Sequence, residues 1–348
     1  MKWNNYLIFV IIFFLLGPFI GPGLALMDFD EQIHRMVIPA EQVRAGFEQV
    51  ENSIDALHQS AFVVSNTAAQ QEKEYKEQEE TIDTLAIISQ EHTKLSDQIY
   101  EERILAMLGP PVDSYSSNKV EIKVFKLDEL GYRGYIAKVK LYDPGVVQVV
   151  LGQDKLGSLE TTGSAVNRTG AILGVNGGGF FSSGKQILPI GNTVVNGKFV
   201  TGFHPSNGDV FFTGISKNGN LIGGKFYDEE SLTRLNPQQG VSFLPILIKG
   251  GQPQTVPKEW ATTKQPRTII GEYANGDFIL IVVDGRQSDW SSGVTLERLQ
   301  NKLAELGVKE GYNLDGGGSS TMIFKGKVLN RPSDGKQRSV ANNIVIIP

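Results

Sequence analysis

Two glycine-rich stretches hold most of the chemistry this chain can offer, Asn176-Gly177-Gly178-Gly179-Phe180-Phe181 and Asn313-Leu314-Asp315-Gly316-Gly317-Gly318-Ser319-Ser320-Thr321. Three consecutive glycines behind a polar residue leave backbone amides uncovered and able to take positive φ, the geometry of an anion-binding nest. A single run of this kind is as readily a tight bend that needs no ligand. Two runs of one type, each opening on Asn or Asp where a β-rich segment ends, point to a shared site for phosphate or sugar. Asn176, Gly177, Gly178, Asn313, Gly316, Gly317, Ser319, Ser320 and Thr321 are therefore candidate substrate-binding residues.

Other residues of matching chemistry accompany them: Pro266-Arg267-Thr268, Asp284-Gly285-Arg286-Gln287, and Arg338 ahead of Val340-Ala341-Asn342-Asn343. Guanidinium groups grip phosphate oxygens bidentately, and carboxylates supply the acid, base or nucleophile of glycosyl transfer. Arg267, Arg286 and Arg338 are the candidate phosphate ligands, and Asp315 and Asp284 the candidate catalytic pair. Taken singly, each has a plainer reading. The arginines would serve as surface ion-pair partners, Asp284 as a turn residue capping Gly285, Asn330 to Gly335 as a loop, and His204 as a structural hydrogen-bonder.

Composition removes several alternatives. The chain has 348 residues and a formal net charge of −5, so no global positive field draws nucleic acid. It has no cysteine, which excludes thiol nucleophiles, disulfides and Cys-based metal sites. Of its four histidines only His204 lies beyond residue 100, which argues against a Ser-His-Asp triad or a multi-His metal centre in the C-terminal part.

The elements that must position these residues read as an α+β domain, strand-rich with a mixed sheet. Short β-rich runs at 135–141, 146–151, 171–175, 193–195, 209–212, 241–248, 268–271, 278–283, 320–324 and 343–347 are punctuated by Asn-Gly turns at 196–197, 218–219 and 275–276. One helix is predicted between Thr295 and Leu306, with Leu296, Leu299, Leu303 and Leu306 on one face, Thr295 as N-cap and Gly307 as the stop.

Upstream, residues 6–26 are uncharged and mostly apolar, preceded by Lys2 and followed by Asp28, Asp30 and Glu31. This asymmetry predicts export, with residues 1–27 as either a transmembrane anchor or a cleaved signal peptide. The protein would then be extracytoplasmic, held at the membrane or secreted. Steps of four and three from Val43 through Phe47, Val50, Ile54, Leu57, Ala61, Val64, Ala68, Gln71, Tyr75, Gln78, Ile82 and Leu85, weakened in the middle by Ala68, Gln71 and Gln78, predict a coiled-coil-like helical stalk over 28–109, stopped by Gly109-Pro110-Pro111. Its apolar stripe calls for a second copy of the chain, a homodimer through the stalk, or for a helical hairpin broken near Ser65 to Thr67. A linker at 110–119 and a catalytic domain at 120–348 complete the organisation.

At these residues the chain resembles the phosphodiester glycosidase family. The matching elements are Asn176 to Phe180, Leu247 to Gly251, Arg267 to Gly271, Asp284-Gly285-Arg286, Gly293 to Leu296, Asn313 to Met322, Asn330 to Asp334, and Arg338 with Val340-Ala341-Asn342. In one place it departs: the family usually carries Glu two residues after the Thr-Leu pair, where this chain has Arg298, preceded by Glu297. The resemblance implies hydrolysis of a sugar-1-phosphodiester in an extracytoplasmic glycan, exopolysaccharide or teichoic-acid-like substrate, with Asp315 and Asp284 as paired carboxylates and the arginines neutralising the phosphate. The same loops would also suit a non-catalytic glycan-binding module on a stalk. No cofactor is required, and no dense carboxylate spacing demands a metal, although a divalent cation bridging Asp and phosphate is compatible with the set.

Overall fold

The computed structural model describes residues 40–184 and 186–348. The expected anchor or signal at 1–27, and the start of the stalk, lie outside the described residues. Among the described residues no helix is long and apolar enough to cross a membrane.

The first element is a helix of 69 residues, Ala40–Leu108. It runs unbroken through Ser65 to Thr67, so the expected hairpin does not form. Helix formation ends at Gly109, which takes φ +74° just before Pro110. The chain divides into two compact units after Leu85. Within the first, the heptad residues stand in solvent, Phe47 at 71% and Tyr75 at 72% exposure.

The second unit takes in the last turns of the helix. Ile104 there is fully buried against Phe125, Leu127, Ile136, Leu303 and their neighbours, and the rings of Tyr100 and Tyr273 lie 5.1 Å apart. Ion pairs fasten the same turns: Glu101 with Lys123 at 2.7 Å, and Asp97 with Lys140. The residues read as a linker include the strand Asp113–Ser116, which pairs antiparallel with Glu121 to Val124.

Three main sheets build the remainder. The largest has eight strands, in the order Asp113–Ser116, Val120–Glu129, Tyr132–Leu141, Phe278–Val283, Arg267–Tyr273, Val308–Leu314, Ile246–Lys249 and Gln252–Pro253. A five-stranded sheet contains Leu173–Asn176 flanked by Met322–Phe324 and Asn342–Ile346, and a second is built around Pro237–Phe243 and Phe211–Ser216. Every strand pair among the described residues is antiparallel, so the mixed sheet expected from the sequence is not realised there. The cause is local: tight turns such as Leu130-Gly131 and Ala274 to Asp277 can join only antiparallel neighbours.

Both faces of the large sheet are covered. In Phe278–Val283 the residues Phe278, Leu280 and Val282 face the core between sheets, while Ile279, Ile281 and Val283 face the helix Leu296–Glu305 and the end of the long helix. This double burial explains why that strand reads as a continuous apolar run. Thr295 caps the shorter helix as expected, its hydroxyl accepting from the Arg298 amide at 3.2 Å, and Gly307 follows at φ +78°. Two departures have physical reasons. The run 241–248 splits between two sheets because Pro245 has no N–H to give to a ladder. The helix Thr162–Thr169 escapes sequence reading because Thr, Gly, Ser and Asn are weak helix formers, and capping by Thr161 and packing of Ala165 and Val166 sustain it.

Truncation of Ile104 to Ala should lower the stability of the globular unit by about 2–5 kcal/mol, read as a fall in urea midpoint followed by tryptophan fluorescence. An unchanged midpoint would mean that the helix end is not part of this core.

Candidate active site

Antiparallel register brings the chemistry to one place. Arg267 pairs with Val283 and Thr268 with Leu314, so Arg267, Asp284 and Asp315 gather at a single end of the large sheet. In the neighbouring sheet Asn176 pairs with Asn343, and Met322 with Val175, which puts Asn176, Asn343 and Thr321 at a matching end. The two glycine bends lie where these ends meet, and they touch: the Asp315 amide donates to the Gly177 carbonyl at 3.1 Å.

Asn176 is the joint between them. Its Oδ1 accepts from the Thr268 hydroxyl at 2.8 Å and the Thr321 amide at 3.2 Å, and its Nδ2 donates to the Asp315 carbonyl at 2.6 Å. It is wholly buried. Its amide is thus consumed by the fold, and the expectation that it holds substrate is corrected to one of positioning. Asn313 is also wholly buried, donating to the Leu244 carbonyl at 2.6 Å.

The first bend is not an anion nest. The amides of Gly177 and Gly178 donate to the carbonyl and side-chain oxygens of Asn342, at 3.1 and 2.8 Å, and that of Gly179 donates to the Ser242 carbonyl at 3.1 Å. Glycine is required here by close approach. A Cβ on Gly177 would stand 2.2 Å from Asn342 Oδ1, and one on Gly178 would stand 2.5 Å from the Ser242 carbonyl oxygen.

The second bend has a different character. Gly317 takes φ +61° and donates to the Pro266 carbonyl at 2.9 Å, opening a short 3-10 turn, Gly317–Ser319. Charged side chains lie on it. A Cβ on Gly317 would be 3.1 Å from Arg286 Nη2, and one on Gly318 would be 2.1 Å from Arg338 Nη2 and 2.4 Å from Asp334 Oδ2. Arg338 and Asp334 pair at 2.7 Å. Arg286 is held by Gln265, its Nε donating to Oε1 at 2.7 Å.

Asp315 sits part-buried beside this bend. Burial pushes its carboxyl above the usual range, outweighing the Ser319 hydroxyl, the Gly316 amide at 3.0 Å and the charge of Arg338. Asp334 is shifted the other way, held below the usual range by its hydrogen bond to Arg338. Sequence reading missed Asp334 as chemistry, treating Asn330 to Gly335 as loop. The signal was its spacing four residues before Arg338. Arg267 is 3% exposed, and burial, helped by the nearby charge of Arg286, pushes its guanidinium down to about 10. It donates to the Thr263 carbonyl at 3.0 Å and lies under the bend, its Cδ 3.9 Å from a Cβ built on Gly316.

The other expected carboxylate is placed differently. Asp284 is 1% exposed and accepts from Trp290 Nε1 at 2.8 Å, Asn330 Nδ2 at 2.9 Å and the Arg331 amide at 2.8 Å. Both oxygens are engaged, and burial raises its pKa. Its position ties the 284–291 loop to the 330–338 loop, and its burial keeps it from the surface. Ser320 and Thr321 are buried, each with a hydroxyl that finds no partner among the described residues, as are Asn342 and Asn343 with one amide nitrogen each. Such atoms are costly, and their concentration at the two bends marks where the fold has given up stability. The helix position of the family departure is remote in chemistry: Arg298 rests on the Tyr132 ring at 4.9 Å, and Glu297 is exposed. Among the described residues no group of three His, Asp or Glu side chains is arranged to hold a metal ion.

Two substitutions test this geometry. Gly178→Ala should cost about 1–3 kcal/mol by overpacking, whereas Gly224→Ala, whose Cβ would meet only ring atoms of Phe226 at 3.8 Å, should stay within ~0.5 kcal/mol. Asp284→Ala, by stranding buried donors worth about 1–3 kcal/mol each, should lower the urea midpoint markedly. An Asp284→Ala protein of unaltered stability would refute its assignment as the tie between loops.

The chain is 31% identical over 193 residues to the SPbeta prophage-derived protein YomE of Bacillus subtilis, covering 54% of this chain and 29% of that one. It is 29% identical over 181 residues to the mouse N-acetylglucosamine-1-phosphodiester alpha-N-acetylglucosaminidase, covering 47% and 34%. It thus spans about a third of the length of these relatives. The catalytic domain of the zebrafish enzyme of the same name, solved in a form auto-inhibited by its pro-peptide, shares the fold, with a TM-score of 0.54 at 24% identity over 69% of this chain and 86% of that one. Residues 169–347 match the phosphodiester glycosidase family over more than half of the chain, and the chain belongs to that family.

Proposed function

We propose that this protein hydrolyses the bond between a sugar anomeric carbon and a phosphate esterified to a second group, in an extracytoplasmic glycan of the exopolysaccharide or teichoic-acid kind. The observation that carries the reading is the Gly317–Gly318 bend, with Arg286, Arg338 and Asp334 packed against it and Asp315 beside it. Family membership supports the same reaction, and the names of the mammalian relatives make N-acetylglucosamine the first sugar to test.

Environments that push two carboxyls apart assign their roles. Asp315, whose proton is retained above the usual range, is the acid that protonates the departing oxygen. Asp334, kept ionised by Arg338, is the base that takes a proton from water. The water oxygen bonds to the anomeric carbon as the carbon–oxygen bond to phosphate breaks, and the electron pair leaves with the phosphomonoester. Arg286 and Arg338 balance its charge, with Arg267 adding a buried positive field beneath the bend. Asp284 acts as a positioning residue, holding the loop that carries Asp334.

Two features support a reaction outside the cytoplasm and at a surface. The uncharged run at 6–26 between Lys2 and Asp28 supports export with either an anchor or a cleaved leader. The exposed stripe from Val43 to Leu85 supports pairing with a second copy through the helix.

The full chain should release reducing sugar and phosphomonoester in equal amounts from an N-acetylglucosamine-1-phosphodiester. Asp315→Asn should lower kcat/KM by about 10²–10⁴ while substrate still binds. The pH profile of kcat/KM should be a bell, its acid limb below the ordinary carboxylate range from Asp334 and its alkaline limb above that range from Asp315. Asp334→Asn should remove the acid limb. No turnover together with intact binding would leave a glycan-binding module as the function.

A further inference from the structure

A cavity of about 650 Å³ opens between the 284–291 and 330–338 loops. That volume is within the range of small-molecule sites and holds one sugar-phosphate unit. The loops that form it are rigidly joined. The Asp284 carboxylate binds Trp290, Asn330 and the Arg331 amide, and Gln287 Nε2 donates to the carbonyls of Arg331 and Pro332 at 3.3 and 3.4 Å. The cavity therefore shares a loop with the reaction site. Asp334 and Arg338 of that loop lie against Gly318, and its Arg331, Lys336 and Gln337 line the cavity.

The lining states what kind of ligand fits. Arg331 and Lys336 form no ion pair among the described residues, and Asp289 is the one carboxylate in the lining. In a chain of net charge −5, Lys336 has no ion-pair partner among the described residues and Arg331 feels only the buried Asp284 carboxylate, on the same loop whose Arg338 lies against the bend. Trp290 does not offer a bare ring of the kind that stacks on a neutral sugar. The Arg331 guanidinium lies 3.7 Å from its centroid and that of Arg133 lies 4.6 Å away, so the indole holds cations in place. Charge, rather than aromatic surface, is what the cavity presents.

We infer that this cavity is a second anion subsite, which receives the next phosphate of a repeating glycosyl-phosphate polymer while the scissile phosphodiester lies at the Gly317–Gly318 bend. Arg331 and Lys336 hold that phosphate. The inference rests on the proposed hydrolase reading and narrows it, from any sugar-1-phosphodiester to a polyanionic chain with phosphate in every repeat.

Binding measured on the full-length Asp315→Asn protein separates the two claims, because it needs no turnover. The probes are a synthetic trimer of N-acetylglucosamine-1-phosphate repeats and a methyl diester of N-acetylglucosamine-1-phosphate. The trimer should bind at least tenfold more tightly than the methyl diester, and Lys336→Gln added to Asp315→Asn should remove most of that advantage. Arg331→Gln should add to the loss, with Lys336→Gln as the variant that leaves the Trp290 packing untouched. Raising the salt concentration should weaken the trimer more than the methyl diester. Equal affinities for the two probes, or an advantage that survives both substitutions, would overturn the subsite. Absence of turnover by the native chain, with the trimer's advantage intact and sensitive to Lys336, would sink the hydrolase reading and leave the subsite standing.

Discussion

Everything at the candidate site depends on how closely two backbones can approach. The bend after Leu173–Asn176 and the bend after Val308–Leu314 come from different sheets, and the Asp315 amide meets the Gly177 carbonyl at 3.1 Å. Asn176 then ties three partners across the junction, Thr268, Thr321 and the Asp315 carbonyl. Any side chain on Gly177 or Gly178 would occupy space already held by Asn342 or by the Ser242 carbonyl. The glycines are spent on contact between sheets, and the reward is a rigid frame in which Asp315 is the first residue beyond a strand.

On that frame electrostatics does the sorting. A buried guanidinium with only carbonyl acceptors, Arg267, lies under the second bend, and Arg286 and Arg338 lie against it. One carboxyl, Asp315, is desolvated and drawn toward its acid form, while another, Asp334, is held in its ionised form by an arginine. Opposite environments at one bend are what acid and base chemistry requires at a single pH. Asp284, more deeply buried, has its charge distributed over three donors and so organises loops. Asp315 differs in being only part-buried, beside the second bend.

The long helix joins this architecture in an uneven way. Its last turns are part of the globular core through Ile104, Tyr100 and a set of ion pairs, so the enzyme-like unit begins well before its first strand. The heptad residues before Ala86, such as Phe47 and Tyr75, are exposed among the described residues.

Much of this was legible from residues alone. The doubly buried strand Phe278–Val283, the capped helix after Thr295, the helix stop at Gly109 and the two glycine bends all follow from local rules, because periodicity, capping and glycine content act within a few residues of themselves. Family likeness, too, resides in contiguous motifs such as Asn313 to Met322. Sheet direction, the split at Pro245 and the weak helix at Thr162–Thr169 were decided by packing between segments far apart in the chain. So were the roles of individual polar groups: whether Asn176 grips a ligand or a neighbouring strand, whether Asp284 or Asp334 shares the bend with Asp315, and whether a glycine amide is free. Hydrogen-bond capacity is finite, and only the folded arrangement determines which partner consumes it.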